Sequence, residues 1–217
     1  MKRLLKSKWL VAVFIFLGGS AASSAQSLKD VFNNSESPLV YLGIDFSQAR
    51  LLDVGNASDI RGRLYGSINN LVIDEPKKYD LRGVFRKSNM PNDISAALKS
   101  SEKANLNDII STNSSDFSRL KESDIAAIVK QLDISGKDGV GVLFVMEAMR
   151  KVDKKGDAAI WVTFIDMKSK KVLMTERMVT EAKGGFGFRN YWASTIKELL
   201  DDIDKKKYKE WRNKSNS

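Results

Sequence analysis

The chain has 217 residues, with 36 Lys and Arg against 27 Asp and Glu and a formal net charge of +9. It contains no histidine and no cysteine. These two absences exclude imidazole acid–base catalysis, Ser-His-Asp and Cys-His nucleophiles, thiol redox chemistry and nearly all zinc sites. An enzyme built on this sequence would have to use carboxylates, lysine, tyrosine or a metal ion held by oxygen ligands.

The first 25 residues match the pattern of a secretory signal peptide. Basic residues come first, an apolar run covers Trp9 to Leu17, and small residues follow from Gly18 to Ala25. The apolar run spans roughly 14 Å as a helix, about half of a bilayer core, which disfavours a permanent membrane anchor. The basic residues at the start are Lys2, Arg3, Lys6 and Lys8.

Removal of this segment defines the expected mature chain. Ser23 and Ala25 are small residues that predict cleavage before Gln26, with Ala22 as a second candidate. Cleavage takes away four positive charges and no negative one, which lowers the net charge from +9 to +5 and disfavours nucleic acid as a partner. Without cysteine, the protein has no disulfide and no acylated N-terminal cysteine. The sequence therefore predicts a periplasmic or secreted protein that has no transmembrane anchor after cleavage.

The mature chain begins with a polar segment, residues 26–37, that is predicted to be flexible and ends at Pro38. A run rich in β-branched and aromatic residues from Leu39 to Phe46 predicts a buried strand. Apolar residues then recur at helical spacing, which predicts a helix that Ser58 caps and that ends near Pro76.

Residues 77–120 carry the weakest pattern. They predict only short elements, one near Leu81–Phe85 and another that begins near Asn92 or Asn105. From Ser123 onward the spacing of apolar residues predicts a helix capped by that serine.

Three strands are predicted to follow in an antiparallel meander, with a turn between the first two at residues 154–157. The first is a continuous apolar run and is expected to be buried on both faces. Glycine-rich residues 184–187 then lead into a last amphipathic helix, and a basic tail covers residues 205–217. The predicted strands are Val140–Glu147, Ala158–Met167 and Lys171–Val179.

This order of elements predicts an α/β (α+β) fold, because helices between strands cover the faces of a sheet. We expect a mixed sheet of about four to five strands with an antiparallel C-terminal meander, packed by three or more helices. No linker-like composition interrupts residues 38–204, which are predicted to form a single domain.

Three carboxylates lie in or at the ends of predicted strands: Asp45, Glu147 and Asp166. A converging pair could hydrolyse glycosidic bonds or hold a divalent cation. Alternatively, each meets solvent or a basic neighbour at its strand end. Asp45 most needs an explanation, because a carboxylate in a buried strand requires a partner. No motif for a metal or a cofactor is present, and none is predicted.

The most distinctive stretch is the glycine-rich segment before the last helix. Glycines in this position let backbone N–H groups approach an anion, assisted by the helix dipole and by Arg189. The stretch is neither a Walker A nor a dinucleotide-binding motif. Alternatively, the glycines make room while the aromatic side chains fill the core. The candidate ligand- or partner-binding residues are Lys183, Gly184, Gly185, Phe186, Gly187, Phe188, Arg189, Tyr191 and Trp192.

The basic tail interleaves Tyr208 and Trp211 with lysine and arginine. Such a tail could contact a phosphate-rich surface such as lipopolysaccharide or anionic lipid. The alternative is a solvated helix end whose positive charge complements the helix dipole.

Two resemblances extend these predictions. The run "GVLFVMEAM…AAIWVTFIDMKSKKVLMTE" is similar to the TolB amino-terminal domain, the curli secretion lipoprotein and the penicillin-binding-protein activator lipoproteins, over about residues 123–204 and the first strand. The chain departs from those lipoproteins in lacking a lipobox cysteine. This resemblance implies a binding or assembly module by analogy of fold.

The second resemblance rests on "WVTFIDMKSKKVL" followed by "GGFGFRNYWA". These segments resemble a family of secreted, functionally uncharacterised Bacteroidetes proteins. The resemblance implies a Gram-negative envelope or secreted location and carries no activity.

Together the patterns predict an exported envelope protein that acts through binding or assembly and is not an enzyme. Its expected partner is another envelope protein or an anionic envelope component. Two alternatives stay open: a carboxylate- or metal-dependent hydrolase acting on envelope glycans, and a structural subunit of an envelope complex.

Overall fold

The structure is a computed structural model that describes residues 27–153 and 155–217. The predicted signal peptide lies outside the described residues. The strands form one mixed sheet in the order β1–β3–β4–β5, and β2 pairs with β3 along the same edge as β1. Both β1 and β2 run parallel to β3, whereas β3, β4 and β5 are antiparallel. The strands are β1 Leu39–Asp45, β2 Arg50–Leu52, β3 Val140–Val152, β4 Lys155–Asp166 and β5 Lys171–Glu181.

Helices cover both faces of this sheet, which confirms the predicted fold class. The helices are α1 Leu28–Asn33, α2 Ala57–Asp59, α3 Tyr65–Asp74, α4 Leu81–Val84, α5 Ser95–Ser101, α6 Leu106–Ile109, α7 Glu122–Gln131, α8 Gly187–Asp202 and α9 Tyr208–Asn216. One apolar core joins the sheet to α1, α3, α8 and α9. A second core on the opposite face joins it to α5 and α7. The result is a three-layer arrangement with the sheet in the middle.

Strand β3 lies inside the sheet and is buried on both faces from Val140 to Met149, as its continuous apolar run predicts. The hairpin that follows is longer than predicted, because Lys155 pairs with Val152 and already belongs to β4. The turn is therefore shorter than residues 154–157. Polar residues at an exposed hairpin end carry no burial pattern, so composition alone could not place this boundary.

A β-bulge interrupts the pairing of β3 with β4. Met146 lies opposite Ile160 and Ala148 lies opposite Ala159, which leaves Glu147 without a residue opposite it. A bulge changes the direction of a side chain relative to regular pleating. Glu147 follows the alternation of Leu143 and Val145 and faces the α5–α7 side of the sheet, where its hydrogen-bond partners lie. The bulge changes the side of the residues after it, so that Met149 joins the core of Phe144 and Met146.

Two helices begin differently from the prediction. The helix predicted after residue 58 is present as α2 and α3 joined by a π-helical turn, Ile60–Leu64, but its cap is Asn56, whose side chain accepts the N–H of Asp59 at 3.0 Å. Before α7, Asp124 accepts the N–H of Lys121 at 2.8 Å, so the helix starts ahead of the predicted cap. Asn, Asp and Ser are about equally good caps, and spacing alone does not choose among them.

Both ends of the described chain form helices, in the regions predicted as a flexible segment at residues 26–37 and a basic tail at residues 205–217. Helix α1 lies within the polar segment, and its Phe32 ring contacts Tyr208 and Trp211 of α9 at 5.4 and 6.4 Å between centroids. Trp211 is fully buried and donates its indole N–H to Glu176 at 2.6 Å. Each terminal segment supplies the apolar partner of the other, a contact that neither local sequence indicates.

Candidate functional site

A polar cavity of about 370 Å³ lies at the carboxyl end of β1, on the face covered by α5 and α7. Open α/β sheets bind ligands at such strand ends, and the volume is in the range of small-molecule sites. The chain contributes to it from the β1–β2 link, the end of α5, the segment before α7, and α7 itself. The lining residues are Ser47, Gln48, Ser100, Lys103, Arg119, Leu120, Asp124, Ala127, Ile128 and Gln131.

Ser101 fixes the end of β1 against α5. Its hydroxyl accepts the N–H of Phe46 at 2.9 Å and donates to the carbonyl of Ala97 at 2.7 Å. Because Ser101 is buried, these bonds hold one side of the cavity in a defined position.

Asp45 lies beneath the cavity and is fully buried. Its Oδ1 accepts the N–H of Ser47 at 2.7 Å, whereas its Oδ2 is buried without a well-formed hydrogen bond from the described residues. Burial raises the pKa of Asp45, and the nearby Ser100, Ser47 and Lys103 oppose that rise only in part. Three residues that line the cavity thus surround a carboxyl group with one unused acceptor.

Two cations on the cavity wall, Lys103 and Arg119, form no salt bridge with the described carboxylates. Arg119 donates to the carbonyl of Gln48, but its Nε–H is buried and has no acceptor within the described chain. Burial and the charge of Arg50 lower the pKa of Arg119. Asp124, the acid of the lining, accepts the backbone N–H that begins α7. The wall therefore carries two positive charges against one negative charge.

Glu147 lies on the same face of the sheet, and both of its carboxylate oxygens accept hydrogen bonds. Its Oε1 accepts the N–H of Leu120 at 2.7 Å, and its Oε2 accepts the indole N–H of Trp161 at 3.1 Å and the Nε–H of Arg177 at 2.7 Å. The Arg177 guanidinium also donates to the carbonyl of Phe117. This buried ion pair fixes the segment that delivers Arg119 and Leu120 to the cavity.

Asp166 lies elsewhere, at the far end of β4, opposite the first residue of β3. Its Oδ1 accepts the N–H of Ser169 at 2.8 Å and closes the turn to β5. The three predicted carboxylates therefore do not converge. No cluster of three or more acidic residues suited to a metal occurs within residues 27–153 and 155–217.

The glycine-rich segment is remote from this cavity, at the end of the sheet formed by the β3–β4 hairpin. Gly184, Gly185 and Gly187 have φ values of +104°, +107° and +76°, and the segment exposes 96% of Phe186. Phe186 therefore does not fill the core. Lys183 pairs with Glu198, and the Nε of Arg189 donates to the side chain of Asn190.

The aromatic residues of the same segment differ in burial. Trp192 is buried, and the rings of Tyr191 and Phe188 contact it edge-on at 5.1 and 6.2 Å between centroids. Lys151 lies over the Tyr191 ring at 5.5 Å, and Tyr191 also approaches Gly156 at the hairpin. The side chains of Phe188, Tyr191 and Trp192 therefore pack α8 against the sheet, as the packing interpretation predicts.

A second hollow, of about 500 Å³, lies between α3 and α4. Its lining includes Lys77, Asp80 and Arg82, and no buried polar atom lacking a partner in the described chain belongs to it. The cavity at the end of β1 combines a strand end, unpaired cations and an unsatisfied carboxyl group, and it is the stronger candidate.

Of the residues at this cavity, the sequence indicated Asp45 beneath it and none of the residues that line it. Ser100, Lys103 and Arg119 fall in the stretch with the weakest pattern, and only the three-dimensional fold brings them to the end of β1. The one available signal was the carboxylate at the carboxyl end of a buried strand.

No protein-family model and no curated protein matches this chain. Among solved structures, the hypothetical protein CT253 from Chlamydia trachomatis aligns with 82% of this chain and 95% of its own, at 12% identity and a TM-score of 0.32. A likeness at this TM-score carries no argument about fold or function. The resemblances to TolB-like and Bacteroidetes proteins stay predictions. Across the described part of the chain, every helix is too short or too polar to cross a bilayer.

Proposed function

We propose that this protein is an extracytoplasmic binding module that holds a small anion-bearing ligand in the cavity at the end of β1. One observation carries the proposal: Lys103 and Arg119 line a partly open polar cavity, and neither forms a salt bridge with a carboxylate of the described chain. Buried donors and acceptors are normally satisfied, and those that are not call for a ligand or ordered water. The expected export signal supports a location in the periplasm or outside the cell.

The charge balance of the wall favours an anion over a cation. Asp124 is occupied at the start of α7, and the buried carboxyl group of Asp45 has a raised pKa, so it opposes an anion less than an ordinary carboxylate would. Lys103 is exposed at the cavity rim, where it attracts an anion from solvent, and Arg119 lies deeper. This arrangement agrees with the expected anionic envelope component as partner.

The hydrolase alternative has less support from the geometry. Glu147 accepts three hydrogen bonds and pairs with Arg177, so it is not free to act as an acid or base. The structural-subunit alternative stays a prediction, motivated by the exposed Phe186.

The test is a thermal-shift and calorimetric screen of the mature chain against phosphate, citrate, succinate and sugar acids. At least one anion is expected to raise the melting temperature saturably in the parent protein and in Lys130→Gln, which removes an exposed cation of α7 outside the cavity. The shift is expected to vanish in Lys103→Gln and in Arg119→Gln. A response that is equal in all four proteins, or absent from the parent, would show that the cavity is not the site.

A further inference from the structure

The anion-binding end of the cavity has the chemistry of a carboxylate site. Arg119 lines the cavity with a planar guanidinium whose Nη2 donates to the carbonyl of Gln48 and whose Nε–H is buried. A planar guanidinium matches the oxygens of a carboxylate. Lys103 adds a second, mobile charge at the rim. A single anionic group of the ligand can therefore contact both cations.

The remaining polar lining suits hydroxyl groups. Ser47 and Ser100 offer hydroxyls, and Gln48 and Gln131 offer amides, each of which is both donor and acceptor. Behind them, the buried carboxyl group of Asp45 lies against Ser100, so it acts on a ligand through that hydroxyl or through a water that enters the cavity. A carboxylic acid without hydroxyl groups would leave these groups unpaired, which costs binding energy.

The apolar part of the lining is small and aliphatic. Leu120, Ala127 and Ile128 provide it, and no aromatic ring lines the cavity. A nucleobase or other flat aromatic ligand would find no stacking partner there, whereas the C–H face of a saturated ring packs well on aliphatic side chains. A volume of about 370 Å³ accommodates one such ring with its substituents.

The geometry points to a sugar acid as the ligand class: one saturated ring bearing several hydroxyls and one carboxylate, an assignment that rests on the proposed function. The carboxylate lies between Arg119 and Lys103, and the hydroxyls lie towards Ser47, Ser100 and Asp45. Acidic sugars of this kind are components of extracellular and envelope polysaccharides, in keeping with the expected location.

The experiment is isothermal titration of the mature chain with three hexuronates, namely glucuronate, galacturonate and mannuronate. The matched probes are glucose, which lacks the carboxylate, and cyclohexanecarboxylate, which lacks the hydroxyls. At least one hexuronate is expected to bind at least tenfold more tightly than either matched probe. Arg119→Gln is expected to weaken that hexuronate at least tenfold, and Lys130→Gln is expected to leave it unchanged.

A second variant separates the hydroxyl contacts from the charge. Ser100→Ala is expected to weaken the hexuronate severalfold without altering the binding of cyclohexanecarboxylate, and its thermal unfolding serves as the check on folding. If cyclohexanecarboxylate or inorganic phosphate binds as tightly as the tightest-binding hexuronate, the sugar-acid assignment is wrong and the proposed anion site is retained. Absence of binding by every anion, in a folded protein, would overturn both.

Discussion

Asp45 and Glu147 are two buried carboxylates on the same face of the sheet, and their surroundings differ. Glu147 has a cation, an indole and a backbone amide arranged around its two oxygens. Asp45 accepts the backbone N–H of Ser47 on one oxygen, and its second oxygen lies near Ser100 without a well-formed hydrogen bond in the described chain. The first arrangement stabilises a fold, whereas the second leaves hydrogen-bonding capacity for another molecule.

Loss of Arg177 is expected to destabilise the protein strongly. Arg177→Met leaves the buried Glu147 without its charge partner, and breaking a buried pair in this way costs about 3–5 kcal/mol. Urea denaturation measures the free energy of unfolding. The double variant Glu147→Gln with Arg177→Met is expected to lose less than Arg177→Met alone, because no unpaired charge remains. Equal losses in the two variants would mean that the charge pair is not what stabilises this region.

Asp45→Asn is expected to stabilise the protein near neutral pH. Burial raises the pKa of Asp45, so the folded state favours the protonated carboxyl group. The contribution of such a group is full below its ordinary pKa of 3.8 and is lost as pH rises through the folded-state pKa. Asparagine does not ionise, so the variant is more stable than the parent at pH 7, and the difference shrinks towards pH 4.

Urea denaturation at several pH values between 4 and 8 measures that difference. Asp153→Asn is the control, because Asp153 is exposed and its positive φ of 48° suits asparagine equally well. A gain independent of pH would show that charge is not the cause. If Asp45→Asn also weakens the hexuronate, the destabilising carboxyl group serves binding at the expense of stability, as functional residues often do.

At the scale of elements, the glycine-rich segment has two glycines with nearly the same backbone angle and different surroundings. A Cβ on Gly185 would lie 2.5 Å from backbone atoms of Asn190, whereas a Cβ on Gly184 would meet no atom within 4 Å. Both have a positive φ that L residues rarely adopt.

Gly185→Ala is therefore expected to cost clearly more stability than Gly184→Ala. Gly184→Ala carries backbone strain of about 1 kcal/mol. Gly185→Ala carries the same strain and must also displace the start of α8. Thermal unfolding of the two variants side by side gives the comparison, with Phe186→Ser expected to match the parent because Phe186 is almost fully exposed. Equal losses at positions 184 and 185 would mean that the segment moves freely away from α8.

Elements with strong periodicity were predictable, and contacts between distant elements were not. The apolar run of β3 and the apolar stripe of α8 predict burial, and the residues of both patterns are buried in the structure. Helix α9 resembled a solvated helix end in sequence because its basic residues outnumber its aromatic residues, yet Tyr208 and Trp211 are both buried. The cavity was not predictable either, because segments distant in the sequence form it. Only Asp45 stood out in the sequence, as a carboxylate in a buried strand.

For the molecule within residues 27–217, two large apolar cores share the sheet, and the first and last described helices meet. Trp161 lies in the core beneath α5 and α7, whereas Trp192 and Trp211 lie in the core on the other face. Tyr208 of α9 donates its hydroxyl to the carbonyl of Phe32 in α1 at 3.0 Å, so the last helix is tied to the first. Because β3 and β4 contribute side chains to both cores, loss of either core exposes the other.

Unfolding of the mature chain is therefore expected to be a single cooperative transition. Three proteins that each retain one of Trp161, Trp192 and Trp211, with phenylalanine at the other two positions, report on the two faces and on α9 separately. Their urea midpoints by fluorescence are expected to coincide with the midpoint by far-ultraviolet circular dichroism in the same protein. An earlier fluorescence transition at Trp211 alone would show that α9 detaches before the sheet unfolds, and that the chain beyond residue 204 is not part of the cooperative domain. Coincident midpoints would instead extend the predicted domain to both ends of the described chain, because Trp211 reports directly on the contact between α9 and α1.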